Sequence, residues 1–389
     1  MKSSVLIKKF QNKKEIEQIF QGYIFCLLSK KVKSNDSVMI KPNMVCGIMS
    51  GTGVTTHPLI VDETIKILKK IGVKNIVIAE NAGRDSDTDD LFEKLGIKDV
   101  ARKYNVPTID LSKTDFVKVK LKKYFEVNEL EVSKAIFDYS KIIVLPTLKT
   151  HHQAGISAGL KNMFGILSWE DMRKLHRTDL EKSIVDINLI KKPDFVIVDG
   201  IVGLEGIGPH KGSPVDANII IAGDDPVAVD ATCSEIIGVS RKRLRFLELA
   251  NSAGLGTSDF RKISFTGDEI KSVRKKFMTA IDAVIEELAK AAPQVRIKNL
   301  NICNGCEGVI ATVFMLLLGR HKFDFSKLKQ IEIFYGNKKI HPKKNFLLIG
   351  DCIYKSNNKD YNAIRGCPPT ITEVMNKIES GSSNLCEFK

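Results

Sequence analysis

No apolar run in this chain is long enough to cross a bilayer. The longest, Val309 to Leu318, is about half of the roughly 20 residues a span needs, and it reads as a core helix. The opening residues, MKSSVLIKKFQNKKEIEQIF, interleave lysines with apolar residues and hold neither a clean apolar stretch nor a small-residue cleavage site. No export signal is therefore expected, and a cytoplasmic setting is. Aromatic residues make up 7% of the chain, and no RRM, KH or zinc-finger pattern occurs. The net charge of +14 comes from lysines and arginines spread along the whole length. It therefore reads as solvated surface that attracts small anions, and nucleic acid is not the expected partner. Walker and Rossmann phosphate-binding fingerprints are absent too, as are internal repeats.

What is present is an ordinary globular composition, 43% hydrophobic and 27% charged over 389 residues. That is more than one core usually accommodates, and two to three folded units are expected. Short β-branched runs recur at Ser37–Lys41, Asn75–Glu80, Lys141–Pro146, Phe195–Asp199 and Asn218–Gly223. They read as buried parallel strands alternating with helices. Between the first two, His57–Gly72 has helical apolar spacing and a terminal glycine suited to a C-cap, which makes a βαβ unit. The fold class is thus α/β, a mostly parallel sheet with flanking helices. A long helical stretch from about Asp268 to Ala292 ends at Pro293. The boundary is placed near Gln294, giving a larger unit over 1–293 and a smaller α/β unit over 294–389.

The smaller unit carries the most specific pattern. Eight cysteines without an export signal point to reduced thiols, and so to metal or redox use. Cys303-Asn-Gly-Cys306 offers two thiolates from one turn, and Cys352 and Cys367-Pro368 offer two more from later loops. Four thiolates suit either zinc or an iron–sulfur cluster. Structural zinc more often uses two compact Cys-x-x-Cys knuckles, so one knuckle with two separated cysteines favours [4Fe–4S], with zinc as the alternative. Cys26, Cys46, Cys233 and Cys386 have no such spacing and read as bystanders.

In doubly wound sheets, ligands bind beyond the carboxyl ends of the strands. Here the expected strands run into KPNMV, ENAGRDSD, PTLKTHHQ, DGIVGLEGIGPHKG and GDDP. Five of the seven histidines, His57, His151, His152, His176 and His210, fall in or just after these loops. Pro146–Gly165 adds Lys149, Gly159, Lys161 and Asn162, with Lys161 a candidate anion anchor or covalent attachment point. Residues 203–212 read as a mobile glycine loop in which Gly206, Gly208 and His210 would touch a cofactor. Asp225 and Pro226 read as the N-cap and first residue of a helix. Asp230, one turn further, is the better candidate for a functional carboxylate.

Taken in order, KPNMV, GVTTHPLIVDETIKILKKIGVKNIVIAENAG, LPTLKTHHQAGISAGLKNMFG, VDGIVGLEGIGPHKG and GDDPVAVDAT resemble the domain of unknown function 362 family. The match runs from about Ser37 to Gly238. The resemblance implies the α/β fold and an iron–sulfur module, although the pair of ferredoxin-like cysteine runs common in that family is replaced here by the wider spacing. A more distant similarity is to the nickel-pincer lactate racemase family, carried by His151, the stretch Ala154–Gly159, Lys161 and His176. It implies Lys161 as a cofactor anchor, His176 as a metal ligand and His151 as an acid–base residue, and hence a second metal or organic cofactor in the larger unit. The first strand-end loops lack that family's second acid–base histidine.

The expected activity is that of an iron–sulfur oxidoreductase acting on a small anion, served by a redox partner protein. Lys161, His151, His57 and Asp230 are its candidate catalytic residues. The alternatives are a non-catalytic electron carrier and a cofactor-dependent isomerase with a structural zinc.

Overall fold

The computed structural model describes residues 2–45, 48, 51–83, 86–300, 303–319, 323–325, 328, 330–342, 346–357 and 363–379; Cys46 and Cys386 lie outside them. In chain order the strands of the larger unit are β1 (Ser3–Lys9), β2 (Ser37–Pro42), β3 (Asn75–Glu80), β4 (Thr108–Asp110), the small hairpin β5 (Phe116–Lys120) and β6 (Glu129–Ser133), β7 (Lys141–Leu145), β8 (Thr147–His151), β9 (Gly155–Ser157), β10 (Phe195–Ile207), β11 (Lys211–Gly223) and β12 (Ile263–Gly267). Eight of them form the path β12-β1-β11-β10-β7-β2-β3-β4, and β8 with β9 branches from β10. The smaller unit contributes β13 (Val295–Leu300), β14 (Ile331–Gly336), β15 (Phe346–Ile349) and β16 (Ala363–Ile364), all paired in parallel.

Successive side chains of a strand point to opposite faces, and the large sheet uses both. Met39, Val77, Ile142, Val144, Val196 and Val198 enter one apolar core. Their neighbours Val38, Ile40, Ile76, Ile78, Ile143 and Ile197 enter the other. This is why β2, β3 and β7 read as unbroken apolar runs and pair in parallel. The helix Pro58–Ile71 covers the second core and closes on Gly72 at φ +94°, whose N–H bonds to the Leu68 and Lys69 carbonyls. Among the described residues no helix is long and apolar enough to cross a membrane.

Three expectations are corrected. The run Asn218–Gly223 is antiparallel, not parallel, to both neighbours, because β10 and β11 form one long hairpin. Its tip is formed by the expected glycine loop, so Gly206 is a ladder residue paired with Gly212, and Gly208-Pro209-His210 makes the turn. Paired backbone, rather than a mobile cradle, is what those glycines provide. The long helix from Asp268 is in fact two, Ile270–Val273 and Ala280–Ala291. Between them Lys275 and Phe277 donate their N–H groups to the Ile236 and Ile237 carbonyls, 2.9 Å each. They thereby satisfy the open end of the helix Pro226–Ile236. Ile270, Val273 and Phe277 keep helical spacing, which hid the break.

The helix Ala280–Ala291 shares its apolar core with the smaller unit, through Ile281, Val284 and Leu288 packed near Ile310, Phe314 and Ile333. The apolar run Val309 to Leu318 lies within the largely buried helix Asn304–Gly319. Phe277 is buried against Gly203 of β10, so Phe277→Ala is expected to destabilise the larger unit by about 3–5 kcal/mol. Urea unfolding followed by far-UV dichroism measures this, and a loss well under 1 kcal/mol would mean that Phe277 does not anchor the segment between the two helices.

Candidate functional site

Parallel strands that end on one edge bring their terminal polar residues together, and here they meet around a buried ion pair. Lys41 at the end of β2 donates to both oxygens of Glu80 at the end of β3, at 2.7 and 2.8 Å. A third bond, 2.7 Å, goes to the Asn162 carbonyl, and the Asn162 amide returns one to the Lys41 carbonyl at 3.0 Å. Both charges are removed from water. Burial pushes the Glu80 carboxyl up to about 7 against the pull of Lys41, and pushes the Lys41 ammonium down. A side chain at Gly165 would collide with this pair, so glycine there lets the chain pass over it.

Beside the pair is a cavity of about 140 Å³, bordered by Asn43, Lys161, Phe164, His176 and Pro209. The Lys161 ammonium lies 4.3 Å over the Phe164 ring. Burial first, and then the charge of Lys41, depress it to about 8. The His176 ring meets Phe164 edge-on, and its Nδ1 donates to the Met172 carbonyl at 2.7 Å, since a carbonyl can only accept. Nε2 of the neutral ring is left as an acceptor or ligand atom, and burial holds the ring down to about 3. Lys149 is tied at the cavity's rim to Asn43 Oδ1, 2.5 Å, and to the Val54 carbonyl, 2.9 Å.

The remaining predicted residues have other places. His151 Nδ1 accepts the Gln153 and Ala154 N–H groups at 3.1 and 3.2 Å, so its neutral ring carries its proton on Nε2. Its ring stacks on His152 at 4.7 Å, and both face a narrow cleft toward Arg243, Asn304 and Glu307. His57 is the N-cap of the helix Pro58–Ile71, its Nδ1 accepting the Leu59 N–H. Asp230 accepts the Gly159 and Leu160 N–H groups at 2.7 and 3.0 Å, which makes it a positioning residue for the turn bearing Lys161. The Gly206 carbonyl accepts the Thr150 hydroxyl, Gly208 receives both the His152 backbone and its ring, and His210 is exposed at the hairpin tip. Lys41, Glu80 and Asn43 were missed. Their signal was a charged or amide residue closing an otherwise apolar strand.

The four candidate cysteine ligands converge in the smaller unit. Cys303 and Cys306 flank the start of the helix Asn304–Gly319, Cys352 opens the helix Asp351–Ser356 with Asp351, and Cys367 follows β16. Burial, then Cys303, Cys367 and Cys352 in turn, push the Cys306 thiol up. Gly350, at φ +99°, leaves room for it, since a Cβ there would come within 2.5 Å of Cys306 Sγ. All four are free thiols. Among the described residues, Asp87, Asp89 and Asp110 are the group whose ligand atoms all lie within 4.8 Å of one another. The Lys113 ammonium already fills that triangle.

This cysteine cluster abuts the larger unit. Asn304 Nδ2 bonds to the Gln153 carbonyl at 2.5 Å, and Gln153 Nε2 reaches the His176 carbonyl at 2.9 Å. Arg243 pairs with Glu307, which also accepts from Tyr335 and Asn299. Arg245 pairs with Asp179 at 2.7 Å, and burial raises the neighbouring Glu181 carboxyl to about 8. A cavity of about 450 Å³ opens here between Arg177, Asp179, Gly305, Cys367 and Pro368.

Fold and site together define an α/β protein with a polar strand-end pocket and a docked cysteine-bearing unit. The sequence profile of the family described as Domain of unknown function (DUF362) matches residues 38–235, just over half of the chain, and the chain belongs to that family. The thylakoid-associated protein sll1697 of Synechocystis sp. is 25% identical over 212 residues, 53% of this chain and 64% of that protein. The chain therefore spans less than two thirds of that relative's length. The lactate racemase apoprotein from Thermoanaerobacterium thermosaccharolyticum has 16% identity and a TM-score of 0.40, covering 60% of this chain and 57% of that one.

Burial raises the Asp230 carboxyl from 3.8 to about 7, so the folded state holds its proton more tightly than the unfolded one. The stability this contributes is complete below pH 3.8 and is lost as pH rises through about 7. Asp230→Asn removes that dependence. The stability gap between wild type and variant should therefore narrow between pH 4 and 7 in urea unfolding, whereas a constant gap would contradict the buried, protonated carboxyl.

Proposed function

We propose that this chain is an iron–sulfur oxidoreductase of a reducing compartment, with a [4Fe–4S] cluster held by Cys303, Cys306, Cys352 and Cys367 and a small anion bound at Lys161. The observation that carries the reading is the convergence of four cysteines from three segments at the joint with the strand-end pocket. One Cys-x-x-Cys pair with two separated single cysteines favours a cluster over structural zinc, which more often uses two compact knuckles. Mutually repelling thiols whose acidity burial has suppressed also suit a site completed by positive metal. When bound, such a cluster supplies single electrons.

The chain's own residues do the rest. Lys41 is neutralised by Glu80, so Lys161 offers the pocket's charge to an anion, while Asp230 and Asn162 fix the turn that presents it. The convergence of Lys and His side chains is also more than a docking-only electron carrier requires. A second reading, a metal-dependent isomerase, is favoured by His176 alone. Its Nδ1–H is committed to Met172, and its Nε2 is oriented as a metal ligand would be.

Anaerobic purification followed by iron, sulfide, zinc and nickel analysis tests the first reading. About four irons and four sulfides per chain are expected, and each of Cys303→Ser, Cys352→Ser and Cys367→Ser should lower both. One zinc without sulfide would refute the redox role. Titration calorimetry with pyruvate and lactate should show binding that weakens as pH rises through about 8, where Lys161 loses its charge, and that Lys161→Ala abolishes without altering the metal content. Unchanged binding in that variant would remove Lys161 from the site.

A further inference from the structure

We propose that Arg245, a residue of the larger unit, sets the reduction potential of the metal cluster held by the smaller one; this rests on the iron–sulfur reading above. Arg245 begins the helix Arg245–Ser252, far in sequence from the cysteines. One arm of its guanidinium is committed, with Nη2 donating to Asp179 Oδ2 at 2.7 Å. The other arm, Nη1, is buried and has no hydrogen-bond partner. A Cβ on Gly305, between Cys303 and Cys306, would lie 2.8 Å from Nη1. The partnerless nitrogen is thus pressed against the turn that supplies two of the four thiolates.

A buried donor without an acceptor is costly, so a structure that keeps one needs an acceptor there in its working state. Glu181 Oε2, also partnerless, is 4.0 Å away and too distant to be that acceptor. A thiolate or cluster sulfur is an acceptor of the right charge for a guanidinium N–H. Hydrogen bonds to sulfur and nearby charge are among the means by which a protein tunes such a centre. An added electron makes the centre more negative, and a fixed positive charge stabilises that state. Arg245 therefore raises the potential, and Asp179, by partly neutralising it, holds the rise in check.

The experiment is an EPR-monitored redox titration of the full-length protein, purified anaerobically, with iron and sulfide measured on every sample. Arg245→Gln should keep its iron and sulfide yet titrate lower. At the wild-type midpoint its reduced-to-oxidised ratio falls on the order of tenfold, which is about 59 mV for a one-electron couple. Asp179→Asn, which keeps a side chain able to cap the helix Leu180–Ile190 as Asp179 does, should move the midpoint the opposite way, and Arg245→Lys should fall between wild type and Gln. Should Arg245→Gln lose its metal, Asp179→Asn and Arg245→Lys decide the question. Unmoved midpoints in metal-replete variants would overturn the proposal while leaving the cluster standing. A wild type without iron and sulfide would overturn both.

Discussion

A buried ammonium must have a counter-charge, and the strand-end site is organised around that requirement. Lys41 lies where β2 leaves the sheet, out of reach of water, and Glu80 of the adjacent strand answers it. Isolated in this setting either charge would be costly, and the pair holds only because further hydrogen bonds complete it. The Asn162 carbonyl is one of them, which ties the short turn bearing Lys161 to the ends of two strands. Asp230 anchors the same turn from the opposite side through its first N–H groups. The position of Lys161 is thus decided by the demands of charges other than its own.

The joint between the two units follows a similar logic. Gln153 lies one residue beyond the stacked histidines, and its backbone and side chain join Asn304, next to Cys303, to the turn carrying His176. Gly308 presses against the same residue, where any larger side chain would meet backbone. The cysteine helix can come this close only because its first turns carry small residues at 305 and 308. The glycines of the cysteine motif therefore serve the interface as well as the metal site.

Much of this was legible in the residues. The apolar runs at β2, β3 and β7 identified the parallel sheet because buried strands need no polar alternation. The four cysteines stood out because thiol chemistry leaves few other uses for that grouping. Asp225 and Pro226 marked a helix start that the structure bears, with Asp225 accepting the Val227 and Ala228 N–H groups. What could not be read was anything that depends on pairing across long separations. Asn218–Gly223 has the composition of a parallel strand, and only its hairpin partner makes it antiparallel. Nothing local to Arg245 announces that a distant cysteine turn will lie against it. Phe277 kept a helical spacing while its backbone served as the cap of another helix.

The hairpin of β10 and β11 belongs to both compartments. Its turn contributes Pro209 to the strand-end cavity and accepts hydrogen bonds from His152. Its stem contributes Ile207 to the core of the smaller unit and bonds Met278 just before the helix Ala280–Ala291. One partition wall thus serves two rooms, and the smaller unit is no detachable cassette. A chimera that exchanged residues after 294 for another cysteine module would inherit a wall shaped for the original occupant, and its pocket would be remodelled along with its metal site.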